Sequence, residues 1–394
     1  MEQNEIVIVA AKRTPMGNML GSLSALSAPE LGAFAHKAAL EQAGISPAAL
    51  DEVISGCVLQ AGIGQAPARQ AAIKAGIPPS VNASTINKMC GSGMKAVMLA
   101  HDLIKAGMAN IILAGGMESM SNAPYLLLKA RAGYRIGHGE LKDHMFLDGL
   151  EDAYDSGKLM GVFAEATAAH FKFSREQQDE FAIRSLTRAL EAQESNAFLA
   201  EIVPVLIKDR KGEITVSKDE SPDKSKLAKI SQLRPAFKEN GTVTAANSSS
   251  ISDGAASLIL MTAQQAKKQG VKALARIIAH ASHAQAPEWF TTAPVEAIRK
   301  VLNKSSWKPN EVDLFEINEA FAVVTMAAMT ELELDLKKVN IHGGACALGH
   351  PIGASGARIL VTLIHALQQK QKRRGVASLC IGGGEATAIA LELV

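Results

Sequence analysis

Two helix-length stretches of this chain carry apolar residues around nearly their whole circumference. They are Met94-Lys95-Ala96-Val97-Met98-Leu99-Ala100 and Ala357-Arg358-Ile359-Leu360-Val361-Thr362-Leu363-Ile364. A helix on a protein surface keeps a polar face, whereas one that is apolar all round is buried on every side. Both are too short to cross a bilayer, so they are expected in the interior of a globular fold. Each stands in the same local order. In residues 86–119, Cys90-Gly91-Ser92-Gly93 leads into a helix from Met94 to about Ala106, then a strand Ile111-Ile112-Leu113-Ala114 and Gly115-Gly116. In residues 349–385, Gly353-Ala354-Ser355-Gly356 leads into a helix from Ala357 to about Gln368, then a strand Ala377-Ser378-Leu379-Cys380-Ile381 and Gly382-Gly383-Gly384. Repetition at this length predicts a duplicated domain rather than a short-period solenoid. Two buried helices need a sheet on either side and amphipathic helices outside those sheets. The expected architecture is therefore α/β, with a five-layer α-β-α-β-α core.

Between the halves the pattern changes. Residues 121–246 carry more charge, few long apolar strands, a lysine-rich run from Lys218 to Lys226 and an amphipathic helix from Arg175 to Ala192. This predicts an insertion lying over the core, either a lid or binding segment or else a structural excursion or oligomer contact. The chain accordingly divides into 1–120 (completed by 247–272), the inserted 121–246, and 273–394. Apolar residues make up 47% and aromatic ones only 4%, so the core must be built from Ala, Val, Ile, Leu and Met. A net charge of +2, with no basic run interleaved with aromatics, argues against a nucleic-acid partner. No apolar stretch is long enough for a membrane span. The first strand, Ile6-Val7-Ile8-Val9, follows a short polar lead without a basic n-region or cleavage pattern, so a cytoplasmic location is expected.

The four cysteines are Cys57, Cys90, Cys346 and Cys380. None lies in a C-x-x-C, so the spacing of a structural metal site is missing, and disulfides are not expected in the cytoplasm. Cys57 and Cys346 read as packing residues. Cys90 precedes a helix whose free N–H groups and positive dipole end favour the nucleophilic thiolate; the competing reading is a small buried residue. His350 sits in the glycine-rich loop Gly343–Gly353, as a general base or as a histidine satisfied by loop carbonyls. Cys380 ends a strand ahead of Gly382, where successive N–H groups can form an anion nest; by itself it reads as core. Asn318, in Asn318-Glu319-Ala320-Phe321-Ala322, follows an apolar strand (Val312 to Ile317) and suits a helix N-cap. The loop Asn247–Gly254 is hydroxyl-rich and reads as a polar turn. Met94, Met98, Met117 and Met120 read as core filler, and His101, His280, His283 and His342 show no ligand spacing. Dinucleotide, P-loop and G-x-S-x-G hydrolase motifs are absent from the sequence.

Taken together, Cys90-Gly91-Ser92-Gly93-Met94-Lys95-Ala96, Asn318–Ala322, Gly349-His350-Pro351-Ile352-Gly353-Ala354-Ser355-Gly356 and Cys380–Gly384 resemble the thiolase family, in this order and over essentially the whole chain. The resemblance implies a duplicated thiolase-type five-layer core with an inserted loop domain. It also implies an acyl-CoA C-acetyltransferase that condenses two acetyl-CoA to acetoacetyl-CoA and CoA, reversibly. In that chemistry Cys90 takes the acyl group, His350 removes its proton and Cys380 is the acid and base of the carbon–carbon step. Asn318 would hold a water that, with His350, faces the thioester oxygen, and the N–H groups of Cys90 and Gly382 would form a second oxyanion hole. Ser249 would bond the pantetheine arm, Phe237 and Phe321 line the channel, and Met160 lie near the acyl pocket. Coenzyme A enters as substrate and product, with no metal or redox cofactor and a dimeric or tetrameric homo-oligomer expected.

The sequence departs from the family's short-chain pattern in three places. Leu159 stands where a histidine is frequent. No arginine occurs near Pro222 and Asp223 for the adenine, leaving Lys224 or Lys226 as substitutes. The loop before Asp253 reads Ala245-Ala246-Asn247-Ser248-Ser249-Ser250-Ile251-Ser252. A degradative 3-ketoacyl-CoA thiolase with longer substrates shares the same motifs, and the stretch from Tyr134 to Tyr154 with Leu159 and Met160 is expected to separate the two. A carrier-protein ketosynthase lacks the second cysteine, so Cys380 speaks against it. A non-catalytic CoA-binding relative has no use for Cys90, His350 and Cys380 together.

Overall fold

In the computed structural model, which describes residues 5–209 and 212–394, the two halves follow the same strand–helix logic. The first runs β1 (Ile6–Arg13), a two-residue β2 (Gly17–Asn18), α1 (Ala28–Ala43), β3 (Glu52–Gly56), α2 (Pro67–Lys74), β4 (Asn82–Ile86), α3 (Ser92–Lys105) and β5 (Ile111–Ser119). The intervening segment carries two short strand pairs, β6 (Tyr125–Leu126) with β7 (Lys142–Asp143) and β8 (Val205–Asp209) with β9 (Gly212–Val216), beside α4 (Met160–Phe171) and α5 (Arg175–Glu194). β10 (Ser252–Thr262) returns to the first half. α6 (Ala263–Gln269) then leads to β11 (Ala275–Ala284), α7 (Ala293–Ser305), β12 (Leu314–Ile317), α8 (Ala322–Glu331), α9 (Ala345–Leu348), α10 (Ile352–Gln369), β13 (Arg374–Ile381) and β14 (Glu385–Leu393).

Three separate apolar cores define the layers. A central one joins α3 and α10 to strands of both halves, through residues such as Val97, Met98, Leu258, Leu360, Ile364 and Leu379. A second packs α1 and α2 on the outer face of the first half, around Leu40, Val53, Leu113 and Ile259. The third packs α7 and α8 on the outer face of the second half, around Ile298, Val301, Phe315 and Val376. The order is thus helix, sheet, helix, sheet, helix, as the repeat predicts.

The sheets themselves are not separate. Strands run β12-β13-β14-β11-β1-β10-β5-β3-β4 in one continuous ladder. Its join is narrow: among the described residues β1 and β11 pair only at Val7–Arg276 and Ile8–Ala275. The short α6 connection returns the chain beside β1, so the first residues of β11 find its free edge before the two strands diverge.

Helix starts differ from the sequence expectation in an informative way. α3 begins at Ser92 and α10 at Ile352, so Gly93, Gly353 and Gly356 lie within helices, not in turns before them. A Cβ on Gly93 would stand 2.8 Å from the Ala357 nitrogen, and one on Gly356 would be 2.7 Å from Met94 Cβ. Gly115 and Gly116 likewise continue β5 instead of ending it, because a Cβ on Gly116 would strike the Gly353 carbonyl. Glycine inside a strand marks such a close backbone approach. α10 is buried from Ile352 to Leu367, whereas α3 is not enclosed on every side: Asp102 is exposed and Lys95 and Leu99 are half-buried, forming one strip at the edge of the layer.

The inserted segment is fastened to the core by a buried ion cluster. Arg13, at the end of β1, bonds Glu201 at 2.5 Å and Asp219 at 2.6 and 2.9 Å, all wholly or almost wholly buried. The two carboxylates raise the guanidinium pKa against the opposing effect of burial. Removing one partner of such a buried cluster costs about 3–5 kcal/mol, since a charge is left unpaired.

Gly356→Ala should lower the unfolding free energy by about 1–3 kcal/mol through overpacking against Met94. Denaturant titration measures this, and an unchanged midpoint would mean that the two helices do not meet at this glycine.

Candidate active site

Cys90 lies on a tight loop between β4 and α3. Its neighbour Met89 takes a left-handed φ of 47°, a conformation that costs a non-glycine residue energy. Local bonds hold it there. The Met89 N–H donates to Asn87 Oδ1 (2.9 Å), and Ser92 Oγ accepts from the Lys88 N–H (2.8 Å) and donates to the Met89 carbonyl (2.7 Å). Lys88 pairs with Glu385 at 2.6 Å, and Ile381 fills the space a side chain on Gly91 would need. The nucleophile loop is therefore pressed against the end of β13, where Cys380 sits.

His350 precedes α10, with its N–H on the Ser250 carbonyl at 3.0 Å. Ser355 donates its hydroxyl to the Pro351 carbonyl (2.9 Å), so its oxygen accepts from His350 Nδ1 (2.6 Å). This fixes the tautomer with the proton on Nδ1 and a lone pair on Nε2, the form a general base requires. Nε2 is buried and has no hydrogen-bond partner among the described residues. The Asn318 amide lies 3.4 Å from His350 Nδ1, and its Oδ1 is likewise buried and unpartnered. Asn318 is not the N-cap that its position suggests: Phe321 holds that place and α8 starts at Ala322. The hydroxyl-rich loop is more than a polar turn, because it locks the surrounding loops together. Ser249 N–H donates to the Ala320 carbonyl at 2.9 Å and Ala322 N–H to the Asn247 carbonyl at 2.8 Å.

Burial governs the electrostatics. It raises the Cys90 thiol to about 11, outweighing the Gly382 and Cys90 N–H groups that favour the thiolate. The helix-start expectation of an acidic thiol is reversed for this reason. Burial also raises Cys380 well above an ordinary thiol, and the nearby Cys90 adds to the effect. His350 is lowered to about 3 by burial, with Arg358 contributing. The resting site is neutral throughout: two thiols and one unprotonated imidazole.

A cavity of about 560 Å³ opens onto this group, lined by Cys90, His350, Gly382, Ser249, Phe237, Phe321, Met160 and Leu159 among others. Phe237 and Phe321 meet edge to face at 5.9 Å. Cys380 is fully buried behind the lining, in the same apolar cluster as Phe321 and Met160. Lys224 and Lys226 do not reach the cavity; both are exposed, and Lys226 donates to the Ser221 carbonyl at 2.7 Å. The stretch from Tyr134 to Tyr154 contributes Phe146 and Leu150 to the wall, and sequence reasoning missed Phe290 and Ile352 there, which resemble ordinary core residues. It also missed Ser355 as the partner of His350, although the serine stands in the repeated glycine motif. Cys57 packs against the buried Glu118, with its Sγ 3.7 Å from the carboxylate, and the four methionines read as core filler are all buried.

Comparison with known proteins gives a consistent picture. The family described as thiolase, N-terminal domain, matches residues 6–264, and that described as thiolase, C-terminal domain, matches residues 271–393. The chain is 51% identical over 394 residues to acetyl-CoA acetyltransferase 2 of Arabidopsis thaliana, covering 99% of this chain and 97% of that protein. It is 50% identical over 390 residues to an acetyl-CoA acetyltransferase of Cupriavidus necator, covering 98% and 99%. The crystal structure of the Bacillus anthracis acetyl-CoA acetyltransferase superposes with a TM-score of 0.96 at 42% identity, covering 99% of both chains.

With its pKa at about 11, Cys90 holds about one part in 10⁴ as thiolate at pH 7, and the fraction grows about tenfold per pH unit. Iodoacetamide labelling of the Cys90 peptide, followed by mass spectrometry in the substrate-free protein, should rise with that slope up to about pH 10. A plateau below pH 8 would reveal a preformed thiolate instead.

Proposed function

The chain belongs to the thiolase family, and on that premise we propose an acetyl-CoA C-acetyltransferase working by a ping-pong reaction through acyl-Cys90. The observation that carries this reading is one cavity bounded by Cys90, His350 and Gly382, with the Cys380 thiol buried behind its Phe321 and Met160 lining and near enough to Cys90 to be influenced by it. In the first half-reaction Cys90 Sγ attacks the thioester carbonyl of acetyl-CoA while His350 Nε2 takes its proton. The bond to the CoA sulfur breaks, and Cys380 protonates the departing thiolate. In the second, the Cys380 thiolate removes a methyl proton from another acetyl-CoA. The resulting enolate carbon attacks acyl-Cys90, forming the carbon–carbon bond, and Cys90 leaves and recovers its proton from His350. Electrons and protons balance without a metal or redox cofactor, so coenzyme A enters only as substrate and product.

We assign the oxyanion donors to the N–H groups of Cys90 and Gly382, which already face the Cys90 sulfur. A second set is assigned to His350 with a water held by Asn318. Removing one such donor costs about 3–4 kcal/mol of transition-state stabilisation. The apolar channel of Phe237 and Phe321, with Ser249 beside it, suits the pantetheine arm, and Met160 with Leu159 bounds the acyl end. The relatives' names favour acetyl transfer, so the longer-chain degradative reading is not adopted. Functionally we retain the division into 1–120 with 247–272, 121–246 and 273–394, the outer units supplying the chemistry and, through Ser249 and Phe321, one side of the channel, and the middle one the opposing wall of Phe237, Met160 and Leu159.

A homo-oligomer, dimer or tetramer, is supported by β4 standing at the sheet edge, paired among the described residues with β3 alone, and by exposed Leu127, Leu128, Ile136 and Leu141. Long unpaired edges and exposed apolar side chains are commonly covered by another chain. No helix among the described residues is long and apolar enough to cross a membrane. The four cysteines are free, which suits a reducing compartment, and we assign the protein to the cytoplasm.

Incubation with acetyl-CoA should leave an acetyl group on the Cys90 peptide, absent in Cys90→Ser. Cys380→Ser should still acetylate but condense about 10²–10⁴-fold more slowly; label on another residue, or unimpaired condensation in that variant, would sink the mechanism. Thiolysis of acetoacetyl-CoA should exceed that of 3-ketooctanoyl-CoA by about tenfold or more in kcat/KM. The reverse order would restore the degradative reading.

A further inference from the structure

Away from the cavity, the exposed strip of α3 meets β11 and brings together side chains that the sequence keeps far apart. His101 Nδ1, Asp102 Oδ1 and His280 Nε2 form a small triangle, with sides of 3.1 Å (His101–Asp102), 2.9 Å (His280–Asp102) and 3.2 Å (His101–His280). The two imidazoles cross nearly at right angles, with centroids 4.9 Å apart. A zinc-class ion binds such atoms at about 2.0–2.1 Å, which sets ligand atoms about 2.9 Å apart at octahedral angles and about 3.3 Å apart at tetrahedral angles. All three sides fall within that interval.

Hydrogen bonding alone does not account for this triangle. The carboxylate only accepts, and each ring nitrogen is either a donor or an acceptor. If both nitrogens carry protons, the two donors face each other at 3.2 Å. If one does, the other nitrogen turns its lone pair on the carboxylate. Every pattern of neutral rings leaves one side repulsive, whereas a cation capping the triangle satisfies all three.

From this geometry we propose that His101, Asp102 and His280 form a divalent transition-metal site of the zinc, cobalt or nickel class, its remaining positions open to water. Two imidazoles and one carboxylate suit these ions better than magnesium or calcium. Asp102 is the exposed member, with 53% of its side chain accessible, and leaves an entry path. Lys95, Lys105 and Lys304 stand around the site; Lys304 is turned onto the His280 carbonyl at 3.0 Å. These cations oppose a dication and favour an anion or hydroxide as the further ligand. A bound ion would staple α3, which follows the Cys90 loop, to β11 of the other half. The site does not depend on the acyl-transfer reading.

The test is a Co²⁺ titration of the full, chelator-stripped chain, followed by absorption spectroscopy. The expected result is one equivalent bound with micromolar affinity, visible d–d bands, and no sulfur-to-cobalt charge transfer in the near ultraviolet. His280→Gln should weaken this binding at least about tenfold while leaving thiolysis unchanged. Because His280→Gln can disturb packing, Asp102→Asn, at an exposed position, should weaken binding without altering the metal-free melting temperature. The proposal is overturned by the absence of binding in the micromolar range. It also fails if the bound cobalt shows a charge-transfer band removed by Cys90→Ser, or if affinity persists in both site variants.

Discussion

Gly93 and Gly356 allow the backbones of α3 and α10 to touch, and the placement of every reactive group follows from that contact. Each helix begins just after a reactive residue, Cys90 for one and His350 for the other. Pressing the first turns together therefore brings nucleophile and base to one level. Gly116 extends the same contact downward, since the Gly353 carbonyl occupies the place of its missing side chain. A glycine within a helix costs about 1 kcal/mol relative to alanine. Fully burying one Leu, Ile or Val contributes about 1.5–3 kcal/mol, and α10 buries Ile359, Leu360, Val361, Leu363, Ile364 and Leu367 completely. Packing outweighs propensity by a wide margin.

The same enclosure sets the reactivity. Surrounding two thiols and an imidazole with apolar walls makes their charged forms costly, so the site rests neutral. Charge then has to appear only during turnover, beside N–H groups already oriented towards it. A preformed thiolate would be more nucleophilic at rest but also open to oxidation and alkylation. The Ser355–Pro351 relay shows how economically the base is prepared, with one hydroxyl fixing which imidazole nitrogen is free.

Much of this was legible in the residues. The duplicated order of glycines, apolar helix and strand foretells the layered core, and the two glycine-flanked thiols with His350 stand out by motif. Other features were hidden because glycine is ambiguous in sequence. Gly93, Gly115, Gly116 and Gly356 read as turn residues, yet they lie inside regular elements, where the reason for them is a neighbour distant in sequence. The rise of the Cys90 pKa was similarly invisible, since a helix start argues one way and burial, a tertiary property, argues the other. Phe146, Leu150 and Phe290 could not be told from core by their chemistry. His101 and His280 belong to different halves of the repeat, so no spacing along the chain announces their meeting.

The pairing of β10 with both β1 and β5 also dictates an order of events during synthesis. Ile6 pairs with Thr262 and Ser119 with Asp253, so the central strand of the first half is translated only after the whole inserted segment. Until then β1 and β5 emerge with open, apolar edges and nothing to fill the gap between them. Contacts of such sequence separation fold slowly, and unpaired edges invite association with other chains. A nascent chain of this architecture therefore spends the translation of well over a hundred residues as an incomplete sheet. That interval is the window in which open strand edges are available to other chains, before the central strand arrives to close them.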